Sequence, residues 1–338
     1  MKQTLMALTV WIMLCVSLSA APPHYRLTDV GPDSDQNQNL VINDRGQVAG
    51  SYPSGLLVNA GDHGLRGFLW MHGRQTNLRI RTSYDSTIVT AINNFGQITG
   101  NLDGTFDGAI LVIVSHAFLW EHGTLNDLGA PEGDVVSEAR AINDKGEIVG
   151  RAYGTGRPVD DDLRLTEHHA FLYRDGRMID LGAGEADAIN NQGQIVGETP
   201  GTVLLEAALW ENGVAKKLGV PGIAVAINNK GQILIDSGQG PMLWQKGRMS
   251  LLPLPPGSGQ ARAIGINDRG QIVGTADLAE SPRAMLWQGR KVFNLNSVIS
   301  PRSGWILTSA SAINNKGQIV GHGLFRGREH AFLLTPTI

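Results

Sequence analysis

The ten residues AINNKGQIVG, at 312–321, are the last of seven near-copies of one segment, and a fixed repeat limits the possible architectures more than any other feature of this chain. The copies begin at Val41, Ala91, Ala141, Ala188, Ala226, Gly265 and Ala312, at offsets of 50, 50, 47, 38, 39 and 47 residues. A second signature follows each copy: GFLW at Gly67, HAFLW at His116, HAFLY at His169, AALW at Ala207, PMLW at Pro241, AMLW at Ala284 and HAFLL at His330. Seven units of one supersecondary type follow from this.

The chemistry of a unit gives its shape. In AIN-[ND]-x-G-Q-I-V-G two short apolar runs flank an Asn and an invariant Gly. That pattern suits a type I turn in which Gly takes the left-handed conformation of a bulged hairpin. The glycines are Gly46, Gly96, Gly146, Gly193, Gly231, Gly270 and Gly317. HAFLW reads as a strand buried on both faces. A turn such as EHG or RDG then leads to a fourth strand of the LxDLG type. Four strands in about 45 residues is one propeller blade, and no stretch carries a 3.6-residue apolar period.

The chain ends complete the argument. The last unit stops at HAFLLTP without its fourth strand, while YRLTDVG at 25–31 is a copy of the missing type. A strand borrowed from the N-terminus closes a ring and removes the exposed sheet edges. The fold expected is all-β: a seven-bladed β-propeller of four-stranded blades, one domain over 22–338, with the N-terminal strand completing the last blade.

Residues 1–21 read as a secretory signal peptide, with Lys2, an apolar core from Leu5 to Leu18 and small residues near Ala21. Bulky Leu14 before the single Cys15 argues against a lipid-modified cysteine, so the exported chain is expected to have no thiol chemistry. Location outside the cytoplasm, in the periplasm or beyond, follows from the leader. A formal net charge of −3 with no basic run leaves no footprint for nucleic acid, and no later segment is long and apolar enough to span a membrane. A monomer is expected.

The combination AINxxGQIVG, HAFLW and LxDLG resembles the HAF family of extracellular repeat proteins, named for the tripeptide at His116, Ala117 and Phe118. The closing segment from Leu295 is similar to the way such proteins end. The resemblance implies secretion and tandem β repeats, and carries over no catalytic residue. Ile235 in place of a motif Gly, and AALW or PMLW in place of HAFLW, point to more irregular blades there.

Features that recur in every unit are expected to be structural. The Trp residues at 70, 120, 210, 244 and 287 read as packing, as does Trp305; His116, His169 and His330 read as hydrogen-bonded structural histidines, and the repeated Asn43, Asn93, Asn143, Asn190, Asn228, Asn267 and Asn314 as turn formers. Function is expected where units differ. The connection between the second and third strands is long in units one to three and short afterwards. Those loops are expected to raise a binding rim on one face, carrying Asp62, His63, Arg66, Asp103, Asp107, Arg157, Asp160, Asp161, Asp162, Arg164, Glu167 and His168. Its carboxylates, and the alternating Asp33, Asp35, Asn37 and Asn39, are weak calcium signals, because Gln38 stands where a calcium loop needs Gly. No metal or cofactor is expected.

GxSxG, HExxH, GxxxxGK[ST] and CxxC motifs are absent. The leading expectation is therefore a secreted, non-catalytic binding module for an extracellular glycan or protein, acting through blades one to three. Two alternatives stand beside it. One is an extracellular glycan-active hydrolase or lyase that assembles scattered acids and His around the central channel; the other is a purely structural cell-surface or matrix repeat.

Overall fold

The computed structural model of the chain describes residues 24–32, 39–59, 62–78, 84–106, 112–154, 168–202, 204–279 and 281–337, with backbone alone at 54–59, 62–63, 105–106 and 112–114. The leader, the 33–38 run and the rim residues Asp107, Arg157, Asp160, Asp161, Asp162, Arg164 and Glu167 lie outside the described residues.

The described chain forms seven antiparallel four-stranded sheets. Strand β1 (Tyr25–Pro32) is followed by blade 1, made of β2 (Val41–Ile42), β3 (Val48–Asn59), β4 (Asp62–Met71) and β5 (Arg74–Asn77). Blade 2 is β6 (Ser86–Ile92), β7 (Ile98–Phe106), β8 (Val112–Glu121) and β9 (Thr124–Asp127); blade 3 is β10 (Val136–Ile142), β11 (Ile148–Tyr153), β12 (His169–Arg174) and β13 (Arg177–Ala183). Blade 4 is β14 (Glu185–Ile189), β15 (Ile195–Pro200), β16 (Leu205–Glu211) and β17 (Val214–Pro221); blade 5 is β18 (Ile223–Ile227), β19 (Ile233–Ser237), β20 (Gly240–Gln245) and β21 (Arg248–Leu251). Blade 6 is β22 (Ser258–Ile266), β23 (Gln271–Leu278), β24 (Ser281–Gln288) and β25 (Lys291–Asn294). Blade 7 is β26 (Trp305–Ile313), β27 (Ile319–Phe325), β28 (Arg328–Pro336) and β1 itself. The expected seven-bladed propeller is the observed fold, and β1 pairs with β28 from Tyr25 against Pro336 to Pro32 against His330.

Each hairpin between the first two strands closes as its composition dictates. In blade 1 the Gly46 amide donates to the Asn43 carbonyl at 3.0 Å, and Gly46 sits at φ +77°, where a side chain would be strained. The second repeat glycine has a different role. A β-bulge in the innermost strand pushes a carbonyl against it, so a Cβ on Gly100 would run into the Ile88 oxygen and the Phe118 ring. Phe118, Phe171 and Phe332 of the HAF strands are fully buried beside these glycines. Blade 5 has Ile235 and Met242 instead, and keeps all four strands with Ile235 buried, so the expected irregularity costs it no strand.

Trp70, Trp210 and Trp287 are buried, and Trp305 is buried against Phe325 with ring centres 5.2 Å apart. The HAF histidines bond to the aspartate of the neighbouring fourth strand: His116 to Asp127 at 3.0 Å, His169 to Asp180 at 3.3 Å, and His330 to Asp29 at 3.0 Å. Blade 4 reverses the polarity at the same place, with Glu206 3.3 Å from Lys217.

The repeated Asn does more than form a turn. Its Oδ1 accepts from the amides two and four residues on, while its Nδ2 donates to the backbone carbonyl of the next blade's Asn. These donations run Asn43 to Asn93, Asn143, Asn190, Asn228, Asn267, Asn314 and back to Asn43, at 2.9–3.2 Å. The following residues form a parallel ring in which no two carboxylates adjoin: Asp44, Asn94, Asp144, Asn191, Asn229, Asp268, Asn315. Each Asp Oδ2 accepts from Asn side chains on neighbouring blades. Together they line one mouth of the central channel.

Candidate functional site

One position of the repeat links most neighbouring blades. The residue after the second repeat glycine, or after Ile235 in its place, is polar in all seven units: Ser51, Asn101, Arg151, Glu198, Asp236, Thr275 and His322. The Ser51 hydroxyl donates to the Thr87 carbonyl at 3.0 Å and accepts from the Val89 amide at 2.9 Å. Asn101 Oδ1 accepts from the Ala139 amide, Arg151 donates to Glu185, Arg262 donates to Asp236, and Thr275 donates to Ser309. Glu198 breaks the series, because the innermost strand beyond it presents Ile223, Ala224 and Val225. Its side chain is 3% exposed, and Oε2 has no partner among the described residues.

Glu198 sits in a group of ionisable side chains from blades 3 and 4. Glu138 and Glu185 occupy equivalent places on β10 and β14, and Arg140 and Asp187 occupy the equivalent bulge of the same innermost strands. Arg151 Nη1 donates to Glu185 at 2.8 Å and its Nε to Glu138 at 2.9 Å. His168 Nδ1 lies 2.7 Å from Glu185, and Tyr153 reaches Glu138 at 3.4 Å. Arg140 is the loosest member: its ion pairs to Glu138 and Glu185 are 3.7 Å long, its Nε is buried without a partner, and a third of its side chain is exposed.

These surroundings pull the carboxyl groups apart. Burial works against ionising Glu185, but the His168 and Arg151 hydrogen bonds and the two guanidinium charges outweigh it, holding the group down at about 2. Glu198 has burial and the neighbouring Asp187 and Glu185 charges against it and is pushed up to about 7. Asp187 is raised to about 6, chiefly by burial, and its Oδ2 is also unpaired. Glu185 and Glu198 face one another across the β14–β15 ladder. One carboxylate fixed in the charged form beside one that holds its proton to neutrality is the arrangement acid–base chemistry requires. Among the described residues no group of three or more His, Cys, Asp or Glu could hold a metal ion.

Of the rim expected from the loops, the structure brings two members to this cluster. His168 is buried against Glu185, and its ring lies 5.0 Å from that of Tyr153. Asp103 accepts from Ser115 at 2.6 Å; burial raises its pKa despite that bond, and Glu138 adds to the rise. Arg66 stands on β4, opposite Tyr52, and Asp62 and His63 begin the same strand. Glu138, Arg140, Arg151, Glu185, Asp187 and Glu198 were missed because they lie in strands. The signal that finds Arg140 and Asp187 is a charged residue at a repeat position that is Val225 or Ile264 in other units.

No protein-family model matches the sequence, and no curated protein matches it. Solved structures do, as folds. The chain is similar to an acylaminoacyl peptidase in complex with Z-Gly-Gly-Phe-chloromethyl ketone, at 12% identity and a TM-score of 0.55, over 92% of this chain and 51% of that one. It is similar to the β-propeller domain of the Trilobed protease from Pyrococcus furiosus, at 12% identity and a TM-score of 0.57, over 92% and 95% of the two chains. The Pyrococcus horikoshii acylaminoacyl peptidase matches at 12% and 0.55, over 90% and 53%.

At this identity the likenesses show the fold alone, a β-propeller. This chain spans about half the length of the acylaminoacyl peptidases it matches. The Trilobed protease propeller is described as having an open velcro topology, whereas β1 and β28 close the ring here. The leading expectation from sequence, a non-catalytic binding module acting through blades 1 to 3, is corrected by these likenesses to propellers of peptidases and a protease.

Proposed function

We propose that this propeller is a hydrolase acting on glycans by acid–base chemistry at blades 3 and 4. The observation that carries the reading is the opposed pair Glu185 and Glu198, neighbours across one ladder with their pKa values driven to about 2 and about 7. Two carboxyl groups of split acidity are what cleavage of a glycosidic bond needs: one gives a proton to the leaving oxygen while the other faces the positive charge that develops on the sugar, and water then bonds to the anomeric carbon and returns a proton to the first. Glu198 is the proton donor. Glu185, locked by Arg151 and His168, is the charged partner, and Arg140 is the side chain that moves as a substrate enters.

Export and membership of the HAF family belong to the same proposal, supported by the leader at 1–21 and the HAFLW and AINxxGQIVG motifs. The test is release of reducing ends from a panel of neutral and acidic polysaccharides by the full exported chain. Release by the wild type and its loss in Glu198→Gln supports the proposal. Silence across the panel, or full activity in the Gln variant, refutes it.

A further inference from the structure

The channel mouth ringed by the repeated Asn residues carries a charge pattern that no sequence run displays. Each first hairpin turn ends in a variable residue just before its glycine: Arg45, Phe95, Lys145, Gln192, Lys230, Arg269 and Lys316, all exposed. The seven positions lie one blade apart in the ring although 38–50 residues apart in the chain, and five of them are cations. The turns between third and fourth strands open on the same face, because each strand reverses the one before it. On blades 2 to 4 these turns carry Glu121, Asp175 and Glu211, which offset the nearby cations. On blades 5 and 6 they carry exposed Lys246 and Arg290.

The result is an arc of one sign over four adjoining blades: Lys230, Lys246, Arg269, Arg290, Lys316 and Arg45. None of the six is in an ion pair with another described residue. The Asp44 and Asp268 carboxylates nearby are turned inward onto Asn side chains. The arc ends at a cleft of about 710 Å³ between blades 7 and 1, lined by Arg26, Arg45, His72, Gln318 and Thr335. Asp29 also lines it, its carboxylate held by His330. In a chain of net charge −3, this segregation concentrates positive potential on one half-face.

We infer that this arc and its terminal cleft bind a hydrated polyanion, an acidic polysaccharide, on the face opposite Glu198. The shape favours a chain: the cations follow a curved line, and the cleft offers hydrogen-bond donors at its end. A single-stranded nucleic acid would need aromatic platforms for its bases. Among the described residues no Phe, Tyr or Trp side chain of blades 5, 6, 7 and 1 is exposed, and the exposed Phe95 lies on blade 2, off the arc.

The test is native gel electrophoresis of the full chain through matrices containing sodium polygalacturonate, uncharged dextran, or neither. The inference expects retardation by polygalacturonate alone, lost as NaCl rises from about 0.15 M to about 0.5 M and the screening length shortens. Replacing Lys230, Arg269 and Lys316 together with Gln is expected to weaken binding roughly tenfold or more. The position tolerates the change, since Gln192 occupies it natively, and a matched melting temperature confirms folding. Glu198→Gln is expected to bind as the wild type does, which separates this inference from the fate of the glycan-hydrolase proposal. No retardation, undiminished binding by the triple variant, or preference for a poly-dT oligonucleotide or phosphatidylglycerol vesicles would overturn it.

Discussion

The side-chain amide of Asn314 donates to the backbone carbonyl of Asn43 at 2.9 Å, across 271 residues of chain. This bond is the last link of a belt whose other six join consecutive blades, so the seventh blade is held to the first by the same chemistry as any other pair. Both groups are buried. The same side chain also bonds Gln318 and the amides of Lys316 and Gln318.

Asn314→Ala therefore strips four hydrogen bonds and leaves buried backbone groups unpaired. The expected loss is about 2–4 kcal/mol, read by urea unfolding. Asn228→Ala, in the middle of the chain, is expected to cost about the same, because the belt has no weak joint. A loss confined to one of the two sites would show that ring closure differs from the other joints.

Removal of Tyr25–Pro32 takes the fourth strand from blade 7 and exposes the edge of β28, whose pairing runs the length of the strand. The expected outcome is a chain that melts earlier and associates with rising concentration, as an unpaired edge recruits other strands. Light scattering across a dilution series checks it, and a truncated chain that stays monomeric with unchanged melting contradicts it.

The third-to-fourth strand pairs give a cleaner probe of side-chain coupling. Blade 2 has His116 with Asp127, and blade 4 has Glu206 with Lys217. Lys217→Asp alone sets two carboxylates against one another on neighbouring strands and is expected to destabilise, while adding Glu206→His restores a favourable pair. Because the site is partly exposed, the coupling in a double-mutant cycle is expected to be about 0.2–1 kcal/mol.

Stability should also report the two carboxyl groups in opposite pH ranges. Glu198 has a folded pKa raised to about 7, so its contribution is full below the ordinary Glu range and is lost as pH rises through about 7. Glu185 is lowered to about 2, so its contribution is present above the ordinary range and is lost as pH falls toward 2. Glu198→Gln is expected to abolish the alkaline loss, making the variant the more stable protein at pH 8 by a few kcal/mol at most. Melting temperatures from pH 4 to 9 check the sign.

How much of this was legible in the sequence depends on whether a feature repeats. The seven hairpins, and the match of YRLTDVG to the strand missing after HAFLLTP, carry the architecture, because blade identity is written locally in turn glycines and strand patterns. The outer half of the Asn motif was not legible. Asn43 announces a turn through its Oδ1, but the partner of its Nδ2 is 50 residues away, and only closure of the ring brings it near. The candidate site fell in the same blind spot. Arg140 and Asp187 are single departures from a repeat position, set side by side only once blades 3 and 4 pack. The loop rim drew attention by length, and length records where a chain can vary, which is not where buried charge collects.

The central claim, that Glu198 gives a proton during hydrolysis beside a permanently ionised Glu185, is tested most directly by the pH dependence of reducing-end release on the responsive polysaccharide. The account predicts activity that falls as pH rises through about 7, the range in which Glu198 loses its proton, and no such limb in Glu198→Gln, which is inactive throughout. A rate that is level through that range, or a Gln variant that keeps the wild-type profile, would contradict it.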